Sequence, residues 1–140
     1  MWFVALPALL ILLLAAVFCG AAAVDARPAE DVEIARRFLA RYGWETDVSS
    51  CETAEIRVPP DFNPVYTRYN ELQLSQGLDL SAFRGETLLR VTFTVTNYPG
   101  YENSGLIRGN VFLDGETVAA ADLCSVEING FIRGVVPCDP

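Results

Sequence analysis

Leu106 to Leu123 reads LIRGNVFLDGETVAAADL, and this stretch decides the fold. Two β-forming runs, Leu106–Leu113 and Thr117–Leu123, flank Asp114-Gly115, the best short hairpin signal a sequence can carry. Upstream, Thr87 to Tyr98 is the clearest strand in the chain. Leu89, Val91, Phe93 and Val95 alternate with Arg90, Thr92, Thr94 and Thr96, so the first set is expected to face inward and the second outward. Asn97-Tyr98-Pro99-Gly100 closes it as a turn. Downstream, Asn129-Gly130 marks a second hairpin turn leading to a last strand at Phe131–Val136.

The segments before these strands are helical, with one exception. Pro28 to Tyr42 has proline suited to the first turn, Glu30, Asp31 and Glu33 early, and Arg36, Arg37 and Arg41 late, as the helix dipole favours. Val32, Ala35, Phe38, Leu39 and Tyr42 fall on one face, and Gly43 ends the helix. Thr53 to Val58 alternates as a half-buried strand and stops at Pro59-Pro60. Asn63 and Pro64 then cap and open a second helix running to about Gln76, with Val65, Tyr69, Leu72 and Gln76 as its stripe. Sequential strands joined by tight turns pair antiparallel. The expected fold is therefore α+β: two helices packed on one face of a mainly antiparallel meander sheet, preceded by an N-terminal hydrophobic helix.

Charge divides the chain in two. Residues 1–24 carry none, and every one of the 18 acids and 10 bases lies from Asp25 onward. Residues 1–24 are read as a signal peptide or transmembrane anchor and residues 25–140 as a single α+β domain. Trp2 to Val24 is long and apolar enough to cross a bilayer as a helix. A cleavable signal would end at small residues, which Ala21-Ala22-Ala23 or Val24-Asp25-Ala26 supply; an anchor would keep the whole run. Cys19 follows Phe18, where lipoprotein processing wants a small residue, and reads as an apolar membrane residue. The expected location is extracytoplasmic, secreted or anchored.

The composition removes several kinds of chemistry. Net charge is −8 and no basic stripe is visible, so a nucleic-acid partner is not expected. There is no histidine, which takes away the commonest general base and metal ligand. Cys51, Cys124 and Cys138 leave three possible disulfide pairings, or buried thiols; without histidine or a Cys-x-x-Cys spacing they do not resemble a zinc site. Acid pairs such as Glu52 with Glu55, or Asp114 with Glu116, lie on exposed faces or in turns, where solvation accounts for them. No phosphate-binding glycine loop and no serine nucleophile elbow is present. No cofactor and no metal are expected.

The segment Tyr66 to Phe83, YTRYNELQLSQGLDLSAF, is the most distinctive. Tyr66, Tyr69, Asn70, Gln73 and Gln76 form the candidate binding surface, since a polar and aromatic mixture suits recognition. The plainer reading packs the two tyrosines between helix and sheet, with Asp79 capping the next turn.

Several short pieces together resemble a known family. They are Gly43-Trp44-Glu45, Val58-Pro59-Pro60-Asp61-Phe62, Tyr69-Asn70-Glu71-Leu72-Gln73 and Gln76-Gly77-Leu78-Asp79-Leu80. Gly85, the Asn97-Tyr98-Pro99 turn, Cys124-Ser125 and Asn129-Gly130-Phe131 extend the likeness over most of the domain. The pattern is similar to the bacterial domain of unknown function family 4830. The resemblance implies a small exported or membrane-tethered domain and brings no activity, ligand or catalytic residue. The leader departs from the usual pattern in lacking basic residues. Together these observations lead to the expectation of a non-enzymatic extracytoplasmic binding or accessory domain. Its partner would be a protein or cell-envelope component, and its membrane contact would run through residues 2–24. Two rival readings are a hydrolase of envelope carbohydrate using a carboxylate pair and a structural subunit completed by a partner.

Overall fold

Helix α1 spans Ala26–Arg41 and ends where Trp44 N–H returns to the Leu39 carbonyl across Gly43. On its exposed side Glu33 accepts from both Arg36 and Arg37, which draws the Glu33 carboxyl down to about 2. Its other side carries Ala35, Phe38 and Leu39 into the core. The computed structural model describes residues 26–137; Trp2–Val24, Cys19 and Cys138 lie outside the described residues. Among those residues no helix is long and apolar enough to cross a membrane.

Five strands follow, each antiparallel to the next, in the order β1-β2-β3-β4-β5. They are β1 (Thr46–Arg57), β2 (Thr87–Val95), β3 (Ile107–Asp114), β4 (Thr117–Ser125) and β5 (Ile132–Arg133). Helix α2 (Pro64–Ser75) and a 3-10 turn (Leu80–Phe83) lie between β1 and β2. The α+β class and the antiparallel meander are those the sequence predicts.

The differences are local and have causes. β1 begins seven residues before the expected Thr53, because a bulge between Asp47 and Glu52 breaks the alternation that marks a strand. Asp47 accepts from Ser49 there, and the Ser50 hydroxyl accepts from Thr94 N–H in place of a strand carbonyl. β5 is two residues rather than Phe131–Val136, since the chain leaves β4 after Ile132 and Arg133 and buries Val135 instead.

The sheet has two unequal faces. Val91, Phe93, Val95, Ile107, Val111, Leu113, Ala121 and Leu123 form the first, against which α1 packs. Gly109 lets α1 come close: a methyl there would meet Leu39 Cδ1 at 3.0 Å and Val95 Cγ2 at 3.1 Å. The second face holds a smaller cluster of Val58, Leu80, Leu88, Ala119 and Ala120, joined by Phe62, Tyr66, Tyr69, Phe83 and Phe112. The helices therefore do not share a face. α1 takes the first, while α2 lies along the β4 margin and turns its tyrosines to the second. The physical reason is the edge itself. Beyond its two pairs with β5, β4 leaves Ala121 with unpaired backbone groups, and α2 supplies the partners. Gln73 Oε1 accepts from Ala121 N–H at 2.9 Å, and Gln76 Nε2 donates to the Ala121 carbonyl at 2.7 Å.

Candidate functional site

The second face is where polar side chains collect. The side chains of Thr92, Asn110 and Asp122 form one cross-strand row, because Thr92 pairs with Asn110 and Asn110 with Asp122 in the ladder. The Thr92 hydroxyl donates to Asn110 Oδ1 at 2.7 Å, and Asn110 Nδ2 donates to Asp122 Oδ1 at 2.9 Å. From α2, Tyr69 OH donates to Asp122 Oδ2 at 2.6 Å. Asp122 is 5% exposed. Burial raises its carboxyl above the ordinary range, and the two donors only partly offset this. Burial, and then the Asp122 charge, likewise raises the Tyr69 phenol. One row away, Cys124 lies 3.6 Å from Asn110 Nδ2, its thiol raised by burial and then by Asp122.

Asn110 and Asp122 of this row floor a groove of about 430 Å³ between α2 and the sheet. Val58, Val65, Tyr66, Leu80, Phe112 and Ile132 supply apolar walls; Arg90, Asn110, Asp122 and Cys124 supply the polar floor. Volume and lining are those of a small-ligand pocket, apolar with a few placed polar groups. Arg90 Nε is sealed from solvent without an acceptor. Gln73 Nε2 is the other buried donor without a partner among the described residues, and each such group costs about 1–3 kcal/mol.

The five expected site residues separate into two groups. Tyr66 and Tyr69 reach the groove, half-buried. Asn70, Gln73 and Gln76 do not; each holds backbone. Asn70 Oδ1 accepts from Leu80 N–H at 2.7 Å, and its amide donates to Asp79. Gln73 and Gln76 complete the β4 edge, and Gln76 Oε1 also accepts from Val135 N–H. Asp79 caps the 3-10 turn as the sequence suggests, accepting from Ser81.

Sequence reasoning passed over Arg90, Thr92, Asn110 and Asp122. It set Arg90 and Thr92 toward solvent, whereas Thr92 is buried and Arg90 half-buried. The signal was there in Asp122, a lone charge inside the run VAAADLC, but its row partners come from other strands. Cys51 and Cys124 are free thiols. They stand on strands three steps apart, about 14 Å at the usual strand spacing, so they cannot bridge one another. Among the described residues no three His, Cys, Asp or Glu side chains converge as a metal site.

An antiparallel meander with α1 on one face and α2 along the β4 edge, and a partly polar groove between α2 and the second face, defines a small α+β domain with a ligand-sized groove. The chain belongs to the family described as Domain of unknown function (DUF4830), whose model matches residues 38–123, from the last turn of α1 to β4. No curated protein and no solved structure matches it.

Proposed function

We propose that this is a non-enzymatic binding domain that works outside the cytoplasm and holds its ligand in the groove between α2 and the second face of the sheet. The observation that carries the reading is the groove's make-up: apolar walls, and a floor with a few placed polar groups that include Arg90, which has no ion pair among the described residues. Its chemistry favours holding over reacting. The Cys124 thiol and the Tyr69 phenol are both raised, which weakens them as nucleophiles. A glycosidase would need two carboxylates flanking the groove. Its lining offers one, Asp122.

Amide shifts measured on the full-length protein against a panel of small amphiphiles test the groove. Binding should perturb Tyr66, Tyr69, Phe112 and Ile132 and leave the α1 face unmoved; perturbations confined to α1 or to β1 would overturn it. The location rests on the apolar run Trp2–Val24. Fractionation of the host, with protease added outside intact cells, should recover the protein in membrane or medium and cleave any anchored form. Protection inside the cell would overturn the location while leaving the groove reading in place.

A further inference from the structure

Arg90 is the cation of the groove lining, and no hydrogen bond or ion pair among the described residues engages its guanidinium. It stands on β2 between Ala54 and Phe112, its cross-strand neighbours, and its Nε is buried with no acceptor. Among the described residues the ion pairs are those of Glu33 with Arg36 and Arg37, so the Arg90 guanidinium is unpaired. Asp122 is near enough for its charge to be felt but too far for an ion pair, and Tyr69 and Asn110 already occupy both its oxygens. A guanidinium presents a planar fork of donors whose geometry matches a carboxylate.

We propose that the ligand of this groove is an apolar monocarboxylate, its acid group taken by Arg90 and its hydrocarbon body laid against Val58, Tyr66, Leu80 and Phe112. This rests on the binding reading above and adds the ligand's class. Charge complementarity sets the head group. Arg90 has no ion-pair partner among the described residues, and a single carboxylate can pair with it while placing less charge beside the buried Asp122 than a dianion would. The walls set the tail, because every side chain above the floor is apolar or aromatic. With a net charge of −8 the protein does not attract anions from a distance. Recognition is therefore local, within the reach of one half-buried arginine.

The test uses the full-length chain in lipid nanodiscs, titrated with 4-phenylbutyrate, its neutral amide 4-phenylbutyramide, and phenyl phosphate. The readouts are the Arg90 Nε–H signal and the amide shifts of Phe112 and Ile132. The acid should move all three signals and bind at least about tenfold more tightly than the amide, the worth of one charge-assisted bond. R90Q should remove that preference while leaving weak binding of the amide; R90K should retain part of it. Equal affinity for acid and amide in the unsubstituted protein would overturn the carboxylate assignment and leave the groove reading standing. Tighter binding of phenyl phosphate would overturn it in favour of a dianion. Silence from all three compounds would overturn both readings. The acid-to-amide comparison needs no variant, so a misfolded R90Q does not weaken the test.

Discussion

Gln73 has no exposed surface, yet it is a polar side chain in the middle of a helix. Its Oε1 accepts from Ala121 N–H and from Gln76 Nε2, so it stands in for a missing strand partner of β4. Gln73→Leu would leave a buried N–H unpaired. It should cost about 1–3 kcal/mol in urea unfolding; a change under a few tenths would mean the edge is solvated by other means. Asp122 makes a second prediction. Burial raises its folded-state pKa above the unfolded one, so the folded state holds the proton more tightly. Its contribution to stability is therefore greatest below the ordinary carboxylate value, about 4, and declines as pH rises through that value toward the raised one. Asp122→Asn should flatten this decline in urea titrations at stepped pH. A variant that falls as steeply as the native protein would place the titrating group elsewhere. None of this was legible residue by residue. The sequence offers Gln76 on the apolar stripe of a helix and Gln73 as a polar residue beside it, and only the neighbouring strand shows that both face inward.

Among elements, the strands were the most legible because their signals are local. Alternation in Thr87–Val95 and the Asp114-Gly115 turn depend on neighbours along the chain, and both appear where expected. Gly115 sits at φ +57°, the left-handed turn conformation that an Asp-Gly hairpin requires. Legibility fails where an element is irregular. The bulge in β1 hides seven residues of strand, and the exit of the chain after Arg133 shortens β5. The position of a helix on the sheet is also unreadable locally. α1 lies close to the first face because Gly109 leaves room for Leu39. Gly109→Ala should push α1 outward and cost about 1–3 kcal/mol by overpacking. Thermal melts would check it. An unchanged midpoint would show that Leu39 and Val95 yield by rotamer change alone.

For the whole molecule, sheet order decides what the cysteines can do. Cys51 and Cys124 lie on β1 and β4, separated by β2 and β3, so peptide mapping of the folded, oxidised protein should find no Cys51–Cys124 link. Finding that link would contradict the strand order. The same order creates the candidate site, because Thr92, Asn110 and Asp122 are adjacent only when three strands align in one register. The sequence by itself determined the α+β class, the antiparallel meander, its hairpin turns and the helix ends, along with the family likeness. Each of these rests on periodicity, capping or turn chemistry within a few residues. Only the tertiary structure decided that α2 closes the β4 edge, that Asn70, Gln73 and Gln76 are spent on backbone, and that Arg90 and Asp122 meet in one groove. Those facts depend on contacts between residues far apart in the chain, where burial and register outweigh local pattern.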